Sequence, residues 1–379
     1  MVILTISFSK NLRQQRINFN ADGGFLLYSA YFAAMQQSPA VFKNNISVFA
    51  SKLLEINSGE LLMSDYSKRY LTHLITHRNY YLCIYAHVLE NVLKQSEKGA
   101  EEICLVDYGA GNGMLGIFAK FCGFKKVCIC DIDADFILAS KLLANELNIL
   151  VDEFITGDIK LLQASLLEQT VDAIAGTDVI EHIYNLDNYF SIVKQINPDM
   201  VTVFTTASNP DNFIKTKQLR KLQIKDELEG SEPGDFVLAG AEKHEAFLTI
   251  RQKIIETNFS HLSKDNILLL AKATRGLYKP DIIIAVQNFI GKGILLNPDE
   301  QDLNTCNPIT GSWTERILSI ELYRVMYKKN GFSLSIKNGF YNSSADGMKK
   351  YLNTILNLAI RIFGKKIAPF ITLVGYREN

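Results

Sequence analysis

A glycine-rich segment carries the clearest chemistry in the sequence. An apolar run beginning at Leu105 ends in an acid, Asp107, and Gly109, Gly111 and Gly113 follow before a helical pattern begins. Glycine tolerates positive φ angles and lets the backbone approach a ligand closely. The free N–H groups at the start of a helix can face that ligand. The segment therefore predicts a strand, a tight loop and a helix that together bind a small molecule.

Further polar residues follow the next apolar runs along the chain. Asp131 lies eighteen residues after Gly113, and a carboxylate at this spacing is placed to accept hydrogen bonds from ribose hydroxyls. The other polar residues at predicted strand ends are Asp158, Asp178, Glu181 and His182. Ligands of open parallel sheets bind outside the carboxyl ends of the strands. We therefore expect these side chains to gather at one site.

More than one ligand fits the glycine loop. Gly111, Gly113 and Gly116 satisfy the dinucleotide fingerprint G-x-G-x-x-G, which supports an NAD-dependent oxidoreductase. Against this interpretation, the carboxylate of Asp107 would repel a dinucleotide pyrophosphate. The remaining interpretation of the glycine loop is a tight turn that binds no ligand.

The spacing of Asp107, Gly109, Gly111 and Gly113, with Ala110 inside the loop, resembles motif I of the class I S-adenosylmethionine-dependent methyltransferases. The resemblance implies that the cofactor is S-adenosyl-L-methionine (SAM). It also implies that Asp107 orients the amino-acid part of SAM, whose ammonium group a carboxylate attracts. Asp107 therefore favours SAM over NAD.

The resemblance continues along the predicted strands and assigns more of the cofactor site. It implies that Asp131 binds the ribose, with Ile132 beside it. It implies that Asp158 contacts the adenine together with its apolar neighbour Ile159. Asp178 is assigned to the cofactor site on the same grounds.

The segment from Val171 to His182 resembles the acid-x-x-Glu-His segment of ubiquinone-type O-methyltransferases. Residues 205–210 resemble a turn of that family, and Trp313 to Ile317 resemble the start of its last helix before an antiparallel strand pair. Regions 1–100 and 211–311 have no counterpart there. A non-catalytic member that binds the nucleoside as a partner subunit is a further hypothesis.

Methyl transfer from a sulfonium is an in-line displacement, so the protein mainly positions two reactants and excludes water. An oxygen or nitrogen nucleophile also benefits from losing its proton to a base. His182, with Glu181 before it, is the candidate base or substrate contact; hydrogen bonding to nearby loops is the alternative. We expect a small or medium-sized acceptor, and the Glu-His resemblance favours O-methylation in a biosynthetic pathway.

A divalent metal is a second possibility at this place, because some relatives with a Glu-His pair use one. The possible ligands are Asp178, Glu181, His182 and His244. The further histidine of the small-RNA methyltransferases is absent here, so we assign no metal. His73 and His77 lie at i and i+4, but no Cys or carboxylate cluster completes a metal site there.

Two other segments have both a functional and a structural interpretation. The basic stretch Lys215–Lys225 could meet a phosphate or a lipid head group, but Asp226 and Glu227 follow it, which favours a solvated helix face. Asn304–Trp313 is polar and turn-rich. It could line an acceptor pocket or form a structural turn anchored by Trp313.

The elements that must position these residues fall into four regions. Residues 1–100 predict a helical extension or lid, with one helix over Ser67–Gln95. Residues 101–210 alternate strands with helices, which predicts a doubly wound, mostly parallel Rossmann-like α/β sheet. Residues 211–311 predict an inserted helical cap. Residues 312–379 complete the sheet with an antiparallel C-terminal strand.

The predicted bounds follow the apolar runs and the turns that flank them. The predicted strands are Ile103–Tyr108, Lys126–Asp131, Phe154–Thr156, Val171–Asp178, Met200–Thr205, Ser333–Lys337 and Phe370–Tyr376. The predicted helices after residue 100 are 114–122, 135–148, 159–168, 187–196, 265–275, Pro280 to Gly291, Thr314–Lys329 and 349–364.

Composition excludes some classes of protein. Forty Lys and Arg residues balance 40 Asp and Glu residues, which disfavours a nucleic-acid partner. No apolar run approaches the ~20 residues that cross a bilayer, and the N-terminus lacks the basic region of a signal peptide. Six Cys are too few for a disulfide scaffold. We expect a cytoplasmic protein whose partner is its small-molecule acceptor; the sequence indicates no oligomeric state.

Overall fold

A single sheet with helices on both faces organises the computed structural model. The structure describes residues 41–166, 170–231, 244–296, 303–345 and 347–377. The first 40 residues of the predicted N-terminal extension lie outside this part of the chain.

Seven strands form the sheet, in the order β3-β2-β1-β4-β5-β7-β6. They are β1 (Cys104–Tyr108), β2 (Lys126–Asp131), β3 (Glu153–Thr156), β4 (Ala173–Thr177), β5 (Val201–Thr206), β6 (Phe332–Asn338) and β7 (Ile371–Arg377). The pairs among β1 to β5 are parallel, and β7 runs antiparallel to β5 and β6. The predicted fold class is confirmed, and the predicted strand bounds agree to within two residues at each end.

The order of the strands creates a switch point beside β1. Leu105 of β1 pairs with Val127 of β2 on one side and with Ala173 of β4 on the other. The chain therefore moves outward from β1 to β3 and then returns to the opposite side of β1. Ligands of open α/β sheets bind in the crevice that this reversal opens at the carboxyl ends of the strands.

Helices precede, cover and follow the sheet. Before β1 lie α1 (Lys43–Leu53), α2 (Asp65–Thr76) and α3 (Arg78–Ser96). Between β1 and β5 lie α4 (Met114–Phe121), α5 (Ala134–Glu146), α6 (Ile159–Ser165) and α7 (Leu186–Ile196). After β5 lie α8 (Phe213–Leu228), α9 (Phe247–Asn258), α10 (Lys264–Ala273), α11 (Lys279–Lys292), α12 (Ile320–Lys329) and α13 (Gly347–Phe363).

The two faces of the sheet bury separate apolar clusters because successive side chains of a strand point in opposite directions. Leu105 packs with α1, α3, α4 and α5 on one face. Its neighbour Val106 packs with α6, α7 and α12 on the other. Burial of both faces explains why the strands read as continuous apolar runs.

The prediction of one long helix over Ser67–Gln95 is wrong, because the chain breaks at His77. This residue ends α2 and precedes α3 with φ −104° and ψ 21°. The break lets α2 pack against α5 while α3 lies against β4 and β5. No Gly or Pro marks the position, so tertiary packing overrides the helical pattern.

Two helix ends also differ from the prediction. Helix α11 continues through Gly291 and ends at Gly293, which has the left-handed φ of 67° that suits a helix C-cap. Helix α12 begins after Ser319, whose side chain accepts a hydrogen bond from Leu322 N, and not at Thr314. The residues between 314 and 319 make their backbone hydrogen bonds elsewhere, as described below.

The helices between β5 and β6 have an apolar cluster of their own, formed by α9, α10 and α11. Arg251 of α9 is fully buried; it pairs with Glu227 of α8 and donates to the carbonyl of Ala271 at 2.8 Å. The predicted divisions of the chain near residues 100, 210 and 311 stay predictions.

No helix in the described part of the chain is both long and apolar enough to span a bilayer.

Candidate active site

The loop after β1 needs its glycines. Gly109, Gly111 and Gly113 have φ angles of 65°, 54° and 70°, a region that other residues rarely adopt. A Cβ on Gly109 would overlap the side chain of Val179, and one on Gly113 would lie 2.6 Å from Ser140 Oγ. The loop is therefore pressed between β4 and α5, and it has room for backbone alone.

Asp107 lies beneath this loop, 1% exposed, and its Oδ2 accepts a hydrogen bond from Gly116 N at 2.8 Å. Gly116 is the third residue of α4, so a carboxylate of the chain itself occupies the positive end of this helix. In a dinucleotide-binding fold the pyrophosphate takes that position. Burial raises the pKa of Asp107 to about 7, because this hydrogen bond only partly offsets the loss of solvation.

Gly116 has a structural reason that does not involve a dinucleotide. A Cβ at this position would lie 2.7 Å from Cγ1 of Ile129 and 3.1 Å from Oδ2 of Asp107. Glycine therefore lets α4 approach β2 and lets its amide reach the carboxylate. The fingerprint Gly111, Gly113 and Gly116 is present without a place for pyrophosphate.

Asp131 ends β2 and braces the loop. Its Oδ2 accepts from Gly111 N at 2.8 Å, and its Oδ1 accepts from Asp133 N at 2.9 Å. A carboxylate has about four acceptor positions, so it can still accept a hydrogen bond from a ligand hydroxyl. Burial raises the pKa of Asp131. The next side chain, Ile132, is 76% exposed and stands at the rim of the site.

The end of β3 joins the same edge, since Gly157 N donates to the carbonyl of Asp131 at 2.8 Å. Asp158 is the N-cap of α6; its Oδ1 accepts from the amides of Lys160 and Leu161 at 3.0 and 3.1 Å. Ile159 is 6% exposed and packs in the core. Its side chain therefore packs inside the protein, and a contact with adenine stays a prediction.

The half of the site at the ends of β4 and β5 contains two residues with left-handed backbones. Asp178, just after β4, has φ 50°, and Glu315 has φ 43°. Asp178 Oδ1 accepts from Ala207 N at 3.1 Å, and Ser208 Oγ donates to Glu315 Oε2 at 3.0 Å. Strain of this kind persists where the surroundings fix the residue, often at functional sites.

Glu181 is fully buried between these two acids. Neither of its carboxyl oxygens has a well-formed hydrogen bond within the described residues, although the Thr206 hydroxyl lies beside them and lowers the pKa. Burial, followed by the charges of Asp178 and Glu315, raises the pKa of Glu181 well above its usual range. Burial and Glu315 raise the pKa of Asp178 to about 6. The surroundings of Glu181 therefore disfavour its charged form.

His182 is half-buried and held by a distant segment. Its Nδ1 lies 2.7 Å from the carbonyl oxygen of Trp313. A carbonyl only accepts hydrogen bonds, so Nδ1 carries the hydrogen and Nε2 keeps a lone pair. The backbone N–H of Trp313 also donates to the carbonyl of His182 at 3.3 Å.

Packing fixes Trp313 itself. Its Nε1 donates to the carbonyl of Tyr184 at 3.1 Å, and the guanidinium of Arg316 lies 4.0 Å from its ring centre. From α8, the buried Gln223 donates to the carbonyls of Thr314 and Glu315 at 3.0 and 2.8 Å. These contacts favour the interpretation of Asn304–Trp313 as a structural turn. The backbone of Trp313 positions His182.

Two tyrosines of α2, Tyr66 and Tyr70, also lie at the site, although no motif in the sequence includes them. The ring of Tyr70 covers the loop, with Cε1 3.1 Å from a Cβ built on Gly111. Burial raises the pKa of Tyr70, and Asp178 and Asp107 raise it further. This ring therefore lies between the two halves of the site. Only the i, i+4 spacing of the two tyrosines could have indicated a shared face.

The residues considered as metal ligands do not converge. In the described part of the chain, no group of three or more His, Cys, Asp or Glu side chains is arranged to hold a metal ion. His244 Nε2 lies 3.7 Å from Asp226 Oδ1, so this ring faces α8. His73 contacts the ring of His77 and, through Nε2, the hydroxyl of Tyr81 at 3.0 Å.

Comparisons with known proteins give likeness in structure only. No family model and no curated protein matches the chain. It is similar to a SAM-dependent methyltransferase from Archaeoglobus fulgidus, with 11% identity, a TM-score of 0.38 and coverage of 81% of this chain and 99% of that one. It is also similar to the magnesium protoporphyrin IX methyltransferase of Synechocystis with bound SAH, with 13% identity, a TM-score of 0.35 and coverage of 81% of this chain and 87% of that one. A SAM-dependent methyltransferase from Mesorhizobium loti is similar with 11% identity, a TM-score of 0.35 and coverage of 75% of this chain and 95% of that one.

Two of the three are SAM-dependent methyltransferases by name, and the third is a methyltransferase with bound SAH. Likeness at these scores concerns the arrangement of strands and helices alone. The sheet itself has the antiparallel C-terminal strand that the resemblance predicts. The nearer resemblance to ubiquinone-type enzymes stays a prediction, as do the roles of the site residues.

Proposed function

We propose that the chain is a SAM-dependent methyltransferase that acts on a small or medium-sized acceptor. One observation carries the proposal: a buried carboxylate, Asp107, lies under a glycine loop with no cationic partner among the described residues. Its pKa near 7 shows that the charged form lacks compensation. A ligand with a positive charge would supply it.

The residues present fit SAM. The cofactor, when bound, supplies a methyl group on a positively charged sulfur and carries an ammonium group on its amino-acid part. Asp107 would hold the ammonium end, Asp131 the ribose, and the backbone of the loop would cradle the chain between them. Asp178 adds a second carboxyl near the same crevice.

His182 is the residue best placed to take a proton from the acceptor. The carbonyl of Trp313 holds its Nδ1–H, which leaves Nε2 to accept a proton from an acceptor hydroxyl. This arrangement supports O-methylation. The sequence predicts a catalytic role for Glu181 beside His182; because the side chain is fully buried, we assign it a positioning role beneath the site.

The alternative cofactor is disfavoured by the same geometry. A pyrophosphate at the start of α4 would meet Asp107, which already accepts the Gly116 amide. The partner-subunit hypothesis stays open to test, because it shares the cofactor site and differs only in lacking transfer.

Transfer of label from methyl-labelled SAM to the small molecules of a deproteinised cell extract tests the proposal. We expect labelled product with the wild-type chain and much less with Asp107→Asn at a SAM concentration below saturation. Binding of SAM without transfer of label would instead support the partner-subunit hypothesis. Consumption of NADH without transfer of label would overturn the proposal.

A further inference from the structure

Helix α13 turns its apolar side chains toward solvent. Met348, Tyr351 and Ile362 are 86%, 73% and 76% exposed, and Ile360 is the only residue of this helix that is buried. The other exposed apolar side chains are Leu352, Ile355, Leu358 and Phe363. At the angular spacing of an α-helix, all seven fall within an arc of about 140°. They form one continuous stripe.

The polar side of α13 is the side that attaches to the protein. Asn357 Nδ2 donates to the carbonyl of Tyr341 at 2.9 Å, and Asn357 Oδ1 accepts from the Tyr341 amide at 2.7 Å. Asn353 Nδ2 donates to the carbonyl of Asn342 at 2.7 Å. An amphipathic helix of a globular protein normally faces the core with its apolar stripe. The opposite orientation here presents the stripe outward.

Cations outnumber acids around α13. The sequence from 347 to 366 contains five Lys and Arg residues and no Asp or Glu, although Asp346 precedes it and Lys365 pairs with Asp211 at 3.4 Å. Lys349, Lys350, Arg361 and Lys366 are exposed on the helix and on the turn that follows it. The apolar stripe is therefore bordered by cations.

A cavity of about 880 Å³ opens beside the C-terminal end of α13. Its acidic lining residues are Glu90 and Asp211. Its basic lining residues are Lys94, Lys337, Arg361, Lys365 and Lys366. The excess of cations makes this cavity suitable for a phosphate-bearing group next to the apolar stripe.

We propose that α13 and the turn after it bind the surface of an anionic lipid bilayer. An outward apolar stripe with Lys and Arg beside it is the pattern of a helix that lies in the membrane interface. Anionic head groups attract each nearby cation. The apolar side chains would enter the acyl boundary, and the cations would meet the head groups.

Charge decides between this surface and a second copy of the chain. Two copies of α13 packed face to face would bring their cations together with no acid in the segment to pair with them, and like charges repel. An anionic bilayer offers acyl chains to the apolar stripe and anionic head groups to the cations.

This surface lies on the same edge of the sheet as the candidate active site. Asn209, just after β5, donates through Nδ2 to the carbonyls of Lys365 and Ala368 at 2.8 and 2.9 Å. Binding through α13 would therefore bring the carboxyl ends of the strands close to the lipid. The inference stands on its own observations and does not depend on the proposed function.

Co-sedimentation of the full chain with vesicles tests the proposal. One set contains phosphatidylcholine alone, and the other contains phosphatidylcholine mixed with phosphatidylserine. We expect binding to the mixed vesicles, weakening as salt screens the charges, and much weaker binding to phosphatidylcholine alone.

Matched variants locate the surface. Ile355→Gln with Ile362→Gln should weaken binding at least tenfold, roughly the loss expected for two interfacial apolar side chains. Leu150→Gln, at another apolar position that is 85% exposed, should change nothing. Lys349→Gln with Lys350→Gln should weaken binding about fivefold for each charge, while Lys264→Gln with Lys272→Gln on α10 should not.

Circular dichroism and binding of S-adenosylhomocysteine (SAH) on the same variants separate a lost surface from a lost fold or a lost cofactor site. Vesicle binding that the α13 variants leave unchanged would overturn the proposal. A dimer in solution that Ile355→Gln with Ile362→Gln dissociates would also overturn it and would assign the stripe to a second copy of the chain.

Discussion

The two halves of the candidate active site are assembled over very different distances along the chain. At β1 and β2, Asp107 accepts from Gly116, nine residues away, and Asp131 accepts from Gly111, 20 residues away. At β4 and β5, the carbonyl that holds His182 is 131 residues away, and Glu315 is 107 residues from its hydrogen-bond partner.

The difference separates binding from chemistry. The first half is a local unit that forms with its own strands and helices. The second half depends on the packing of the segment around Trp313 against α8. Changes in that packing should therefore impair methyl transfer while the cofactor still binds.

The sharpest test of this separation is His182→Ala. Loss of a positioned general base typically lowers the rate by about 10² to 10⁴, while SAH affinity should stay at the wild-type value. Transfer rates and calorimetric SAH titrations measure the two effects. His261→Ala is the control, since this side chain is exposed. A parallel loss of SAH binding would show that the two halves are not separable.

Gly109→Ala should damage the first half. The substitution forces a left-handed backbone on alanine, which costs about 1–2 kcal/mol, and overlap with Val179 adds about 1–3 kcal/mol. Gly293→Ala is a matched control, with φ 67° against 65° and nothing within 4 Å of the added Cβ. Chemical denaturation measures the free energy of unfolding that each of the two variants loses. Equal losses would mean that the loop is not pressed against β4.

Gln223→Leu should damage the second half from a distance. The buried amide donates to the carbonyls of Thr314 and Glu315, and leaving buried carbonyls unpaired costs about 1–3 kcal/mol each. We expect slower transfer with unchanged SAH affinity. Lys221→Leu, at an exposed position of the same helix, controls for surface change. Unaltered transfer would show that the Trp313 segment holds its place without α8.

SAH affinity should rise with pH. The pKa of Asp107 is raised to about 7 in the free protein, so its carboxyl is protonated below that pH and cannot attract an ammonium group. Affinity should increase toward pH 7, by at most about tenfold per unit, and level off above it. Titrations from about pH 5.5 to 8 measure this. A flat profile, or affinity that falls as pH rises, would contradict the role of Asp107.

The contrast in distance also explains what the sequence could predict. The alternation of apolar runs and helical patterns placed all seven strands, and the glycine loop with Asp107 and Asp131 was visible because its contacts are short-range. Glu181 and His182 were visible as residues at a strand end, but their environment was not. The raised pKa of Glu181 depends in part on the charge of Glu315, which is distant along the chain.

Features set by tertiary packing left little signal. The helix break at His77 has no Gly or Pro, and it exists because α2 and α3 pack on different partners. The start of α12 shifted to Ile320 because the preceding amides bond to other segments, as the Arg316 amide does with the carbonyl of Glu181 at 3.3 Å. The outward stripe of α13 was equally hidden, since periodicity gives a helix face but not its direction.

The most direct test of the central claim is calorimetric titration of the wild-type chain and of Asp107→Asn with SAH and, separately, with NADH. We expect the wild-type chain to bind SAH and not NADH. Asp107→Asn should weaken SAH binding by about 1.5–3 kcal/mol, the value of a hydrogen bond to a charged group. NADH binding by the wild-type chain, or SAH binding that Asp107→Asn leaves unchanged, would contradict the account.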